Sequence, residues 1–205
     1  MKYTVVFLFF MWMPILGGAQ TRIDALNEYR NGNFERSVAL SEILLKEDPQ
    51  NIEAHVVICW SLIQLARYPE AARYAQRARA LNRYDARIIE IQGEIDYYEG
   101  RNAEALLHFQ EYVNVAPEGH LIDTVYYFMG ELYIRQGKFR HADIALSLAV
   151  HWQQENALWH TRLGYAREKA GELTEAIQSY NRALELNARL VDAQRGLERS
   201  RQAFR

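Results

Sequence analysis

Residues 157–190 read ALWHTRLGYAREKAGELTEAIQSYNRALELNARL. Leu163 and Gly164 fall in a first helical segment, Gly171 marks a turn, and Ala176, Tyr180 and Ala183 fall in a second segment. The stretch before it repeats the types in the same frame with Tyr126, Met129-Gly130, Tyr133, Gly137, Ala142 and Ala149. Further back, Ala71, Ala105, Ala142 and Ala176 each follow a Gly or Ala by five residues, namely Ala66, Gly100, Gly137 and Gly171. A fixed period in the thirties marks stacked supersecondary units rather than an ordinary globular domain. The frame reaches back through a unit with Gly93, Phe109 and Pro117 and another with Ala71 and Ala78, to Gly32, Phe34, Leu44 and Pro49 in a first, divergent unit. His120, Leu121 and Ile122 are extra residues that interrupt it.

These residue types have a physical reason. Two antiparallel helices approach closely only where one presents small side chains, so Gly130, Gly164, Ala142 and Ala176 read as contact points filled by a neighbour's Tyr or Leu. Gly32, Gly100, Gly137 and Gly171 read as ends of first helices, where a positive φ costs least for Gly. Pro14, Pro49 and Pro117 sit at segment ends, and Pro69 suits the first turn of a helix. Each helix pair leaves an apolar stripe that only a stacked neighbour can bury.

The pattern of an aromatic, Leu-Gly, Tyr, Ala, a second aromatic and Pro at set intervals resembles the tetratricopeptide repeat. The resemblance covers nearly all of the chain after residue 19. Ser37 and Cys59 stand where Ala and Gly are expected, and Ala188 where Pro is expected. It implies an all-α, right-handed superhelical solenoid of about five helix pairs. The units run over 20–51, 52–85, 86–119, 123–156 and 157–190, with a capping helix over 191–205. Val191, Ala193 and Leu197 are expected to cover the last unit, while Arg195, Arg199 and Arg201 stay wet. The first helix, expected from Thr21 to Arg30, has Ile23 and Leu26 as its anchors.

The same resemblance implies that the first helix of each pair lines a concave groove. In its register, Val56, Val57, Trp60 and Gln64 face the groove, followed by Arg87, Glu90, Ile91, Glu94 and Tyr98. Next come Tyr127, Phe128, Glu131 and Arg135, then Thr161, Arg162, Tyr165 and Lys169. The candidate binding set is Val56, Trp60, Glu90, Ile91, Glu94, Tyr127, Phe128, Glu131, Arg162 and Tyr165. Trp60, Tyr127 and Phe128 read as groove anchors, whereas Tyr98 and Tyr165 read equally as core, since a Tyr can bury its ring and leave its hydroxyl wet. The groove is expected to be aromatic, acidic in the middle and basic toward the C-terminal end. The Lys and Asn pattern with which some chaperone-binding relatives clamp a peptide carboxylate is absent.

Charge and motifs narrow the function. A formal net charge of -2 offers no basic face for nucleic acid. No nucleophile elbow, phosphate-binding loop or dinucleotide fingerprint occurs, so neither an enzyme nor a small-molecule cofactor is expected. His55 and Cys59 share a helix face in a geometry open to metal, but no second pair completes a site, and Cys59 occupies a small-residue packing position. His108, His120, His141, His151 and His160 lack a metal-site spacing. Glu111, Glu118, Glu155, Glu172 and Glu175 fall near helix ends or outer faces, where they serve solubility and the helix dipole.

Lys2, the apolar run from Val5 through Leu16, and Gly17, Gly18 and Ala19 have the charged, apolar, small-residue order of a secretory signal. Cleavage after Ala19 would start the mature chain at Gln20, in the periplasm or outside the cell. An uncleaved anchor is the alternative, although the run falls short of the roughly 20 residues needed to span and Pro14 interrupts it. Membrane contact is then expected only through an uncleaved signal. The sequence thus points to an exported interaction scaffold that holds a protein or peptide segment in its groove. The alternatives are a structural subunit of a multiprotein envelope assembly and, behind that, an enzyme with an unrecognised site.

Overall fold

The computed structural model describes residues 17–204, with side chains from Asp24 onward. Most of the expected leader, residues 1–16, and the Ile23 anchor's side chain lie outside the described residues. Eleven helices follow one another and no strand occurs among the described residues: α1 (Gly17–Arg30), α2 (Phe34–Glu47), α3 (Ile52–Gln64), α4 (Tyr68–Leu81), α5 (Ala86–Tyr98), α6 (Asn102–Val115), α7 (Ile122–Arg135), α8 (Phe139–Trp152), α9 (Ala157–Ala170), α10 (Leu173–Leu186) and α11 (Val191–Ala203). The first helix starts before the expected Thr21, already at Gly17. No described helix is long and apolar enough to cross a membrane.

Local chemistry sets the helix ends. The side chains of Asn51, Asp85 and Asn156 accept the backbone N–H of Ala54, Arg87 and Trp159 at 3.0, 3.0 and 3.1 Å, capping α3, α5 and α9. The first helix of four pairs is followed by a glycine at positive φ: 78° at Gly32, 78° at Gly100, 69° at Gly137 and 89° at Gly171. In the remaining pair Ala66 takes the same turn at 55°, a conformation that costs an L-residue roughly 1 to 2 kcal/mol.

Odd-numbered and even-numbered helices form pairs, and the pairing is made by small residues. A Cβ at Gly130 would lie 2.5 Å from Leu146 Cγ, and one at Gly164 would lie 2.8 Å from the Tyr180 ring. Gly93 meets Phe109 in the same way, with 2.6 Å left to its ring edge. Ala71, Ala105, Ala142 and Ala176 have no exposed surface. Cys59, at the glycine position of α3, is fully buried and its thiol donates to the Ala71 carbonyl at 3.5 Å. Burial pushes that thiol far up from its usual range, so it is a packing group rather than a reactive one. His55 lies edge-on to Tyr74, with its Nδ1 2.9 Å from the Asn51 carbonyl, and this contact together with the Cys59 bond gives both residues packing roles. In the divergent first pair Ser37 replaces Ala at no cost in unsatisfied polarity. Its hydroxyl donates to the Ala25 carbonyl at 2.8 Å and accepts from Ser61 at 2.9 Å.

The direction of curvature follows from which helices touch. The backbone of each odd-numbered helix comes close to that of the next odd-numbered one, from α1 with α3 to α9 with α11, whereas among the described residues even-numbered helices reach one another only through long side chains, as Tyr74 does to Glu42 and Arg79 to Glu111. Successive pairs are therefore closer together along the odd helices, and those helices form the inner face of the curve. At the C-terminal end α11 buries Ala193, Gly196, Leu197 and Ser200. Val191, expected to help cover the last pair, is half exposed instead, and Leu190 just before it packs in its place against the cluster of Ala193 and Leu197.

Candidate functional site

Along the inner face the register positions behave differently from one another. Val56 and Ile91 have no exposed surface and belong to one apolar cluster with Ile58, Leu62 and Ile95, so they are core and not groove residues. The reason is geometric. Each inner helix packs against its own partner and two inner neighbours, so its buried arc widens to take in the positions near its N-terminal half. Phe128 is 8% exposed and stacks on Phe109 with ring centroids 5.4 Å apart, which places it in the floor rather than on the surface. The open line comes later in each helix, at Trp60 and Gln64, Glu94 and Tyr98, and Tyr165 and Lys169.

The inner face divides into two parts. In the C-terminal part Arg162 donates to both Glu131 oxygens, at 2.6 and 2.8 Å, so the acidic group expected there and its basic neighbour satisfy each other. The Arg162 guanidinium and Lys169 ammonium also lie over the Tyr165 ring, 5.2 and 5.6 Å from its centroid. Tyr127 stacks on Trp159 at 5.0 Å, and burial, followed by the charge on Glu131, pushes its hydroxyl up to about 12. These side chains are engaged with one another.

The N-terminal part is different. Trp60, Gln64, Glu90, Glu94 and Phe128 line an open cleft of about 340 Å³ together with Tyr29, His120, Leu121 and Thr124. Four inner elements supply it: α1 through Tyr29, which stacks on Trp60 at 5.7 Å, then α3, α5 and the start of α7. Glu90 is 3% exposed, and neither it nor Glu94 has an ion pair or a side-chain hydrogen bond among the described residues. Burial, then the neighbouring Glu94 charge, pushes the Glu90 carboxyl well above the usual carboxylate range, and burial pushes Glu94 up to about 7. Tyr29 is raised by burial and then by these two charges. Of the candidate set, then, Trp60, Glu90, Glu94 and Phe128 come together in this cleft, Tyr127, Glu131, Arg162 and Tyr165 lie along the other part, and Val56 and Ile91 are buried.

Sequence reasoning missed Tyr29 and the lip formed by His120, Leu121 and Thr124. Tyr29 sits in the divergent first pair, where the frame is weakest. The lip carried a signal in the interruption of the period at His120, Leu121 and Ile122, since insertions in repeat arrays map to loops on one face.

An array of antiparallel helix pairs with one curved inner face and a capping helix is a helical-repeat superhelix. The tetratricopeptide repeat profile matches residues 25–86 and 128–190, more than half of the sequence, and the chain belongs to that family. No curated protein sequence matches it. Among solved structures it is similar to PilW, described as a widely conserved type IV pilus biogenesis factor, with a TM-score of 0.77 and 19% identity over 93% of this chain and 90% of that one. It is likewise similar to pilF of Pseudomonas aeruginosa, with a TM-score of 0.77 and 17% identity over 92% of this chain and 86% of that one. Similarity to MamA gives a TM-score of 0.68 and 18% identity over 83% of this chain and 92% of that one. At such identities the likeness speaks to the fold.

Proposed function

We propose that this protein is an interaction scaffold whose inner cleft, bounded by Tyr29, Trp60, Gln64, Glu94 and the 120–124 lip, holds an extended or helical segment of a partner protein. The family makes protein binding the general role. The observation that carries the finer reading is an open aromatic cleft whose two carboxylates no other side chain satisfies. Trp is among the residue types that most often dominate interface energy, and Trp60 is only half-buried in the free protein. Trp60→Ala should weaken partner binding by roughly 2 kcal/mol or more. Gln64 is exposed, so Gln64→Arg should block the cleft while the protein stays folded. Binding measured beside thermal melts checks both, and full-strength capture of the partner by two folded variants would place the binding face elsewhere. Export, with the mature chain starting at Gln20, belongs to the same proposal, and mass spectrometry of the exported form tests it.

A second reading, an assembly subunit, is favoured by one outer surface. Ile144, Leu148 and Trp152 recur every fourth residue on α8 and are 64%, 38% and 52% exposed. Such a stripe is the seam of a helix that packs on something. If it joins copies of the chain, light scattering should give a mass above that of one chain, and Leu148→Glu should return it to one.

A further inference from the structure

The Glu90 and Glu94 pair raises a question the fold does not answer. Two carboxylates one helical turn apart share a face of α5 and repel each other. Glu90 is almost wholly buried, yet no cation or hydrogen-bond donor reaches it among the described residues. Elsewhere the chain pairs its acids across neighbouring units. Arg87 reaches Glu53 at 2.9 Å, Arg162 reaches Glu131 at 2.6 Å, and Arg199 reaches Glu168 at 2.8 Å. A neutral side chain at position 90 would pack at lower cost than an unpaired acid. The fold therefore gains nothing from this pair.

The geometry points to Glu90 and Glu94 as the cation subsite of the groove: together they take the ammonium or guanidinium of one Lys or Arg from the bound segment, whose methylene stem lies along Trp60, Tyr29 and Phe128. This rests on the cleft being the binding groove. Its size and chemistry suit that occupant, since a long basic side chain needs an apolar wall for its stem and acceptors at its end. The groups facing the pair are Tyr29 from α1, Trp60 and Gln64 from α3, Tyr98 on α5, Tyr112 from α6, and His120 and Thr124 at the lip. None of the surrounding side chains is a Lys or Arg, so the arriving cation meets no fixed competitor.

The pair is partly protonated near neutrality, and cation binding drives the proton off. Affinity should therefore rise with pH through about 7 and fall in acid. Stability should run the other way. Because the folded-state values are raised, the pair's favourable contribution is complete below the ordinary carboxylate range and is lost as pH climbs through about 7. Removing the charges should then make the unliganded protein melt higher in mild alkali.

The test pans the full chain against displayed random peptides of about a dozen residues, a length that spans such a groove. Selected peptides should fix a Lys or Arg in one register among apolar and aromatic residues. Exchanging that residue for norleucine should weaken binding about 10- to 100-fold, the scale of a charged hydrogen bond. In Glu90→Gln/Glu94→Gln the same exchange should matter less than about threefold, and this variant should lose the pH dependence and melt higher than the parent near pH ~8. Peptides without a fixed cation, or a norleucine exchange without effect on the parent, overturn the subsite; if Trp60→Ala still abolishes their capture, the groove reading survives. Failure to select any peptide, or capture insensitive to both Trp60→Ala and Gln64→Arg, overturns the two together. The norleucine exchange and the pH series on the parent need no variant to fold.

Discussion

Tyr180→Ala is expected to cost about 3 to 5 kcal/mol, the range for emptying a buried aromatic site. Tyr180 is 1% exposed and its ring fills the space left by two glycines, Gly164 on α9 and Gly196 on α11. Its hydroxyl donates to Glu168 at 2.7 Å, and the same carboxylate takes two bonds from Arg199 of α11, at 2.8 and 2.9 Å. Burial would raise the Glu168 carboxyl, but the Arg199 and Tyr180 donors outweigh it and hold the group below its ordinary range. One side chain thus fastens the last pair and the capping helix together. Repeat arrays unfold from weakened ends, so the loss should appear as early hydrogen exchange in α9, α10 and α11 rather than as a uniform decrease. Tyr180→Phe keeps the ring and removes one hydrogen bond, and should cost about 1 kcal/mol. A Tyr180→Ala protein that melts with the parent would mean that the cap is held by the Arg199 pair alone.

The fold was legible because its constraints are local and periodic. A close helix crossing admits Gly, Ala, Ser or Cys and little else, and those residues recur in frame even where the identity changes, as at Ser37 and Cys59. The groove was less legible because a register position says which way a side chain leaves its helix, not what stands opposite. Val56 and Ile91 leave α3 and α5 toward the inner side and meet the neighbouring helix before they meet solvent. Glu131 reads as an acidic groove residue until Arg162, a full unit later, is seen to hold both its oxygens. Glu90 and Glu94 read the same way in sequence as Glu131 and differ only in having no such partner. That difference separates the two parts of the inner face, and it depends on contacts between units.

Phe128 shows where core and groove have to be separated by experiment. Its ring stacks on Phe109 with the planes 1° apart and lies 4.7 Å from Tyr97 and 6.0 Å from Tyr127. Its remaining exposed edge borders the cleft below Glu90 and Glu94. Phe128→Ala should therefore lower stability by about 3 to 5 kcal/mol, because it opens a cavity among these three rings that cannot close over it. Any loss of binding would follow from the lost floor. Phe128→Leu refills most of the volume and should recover most of the stability, while changing only the shape of the cleft floor. Trp60→Ala should cost less stability and more binding, since Trp60 is half-buried at the rim, where it stacks on Tyr29 and packs against the edges of two apolar clusters. Urea melts of both alanine variants, set beside their binding curves, separate the two roles. Equal melts with unequal binding would return Phe128 to the surface and imply that the Phe109 stack does not form in solution.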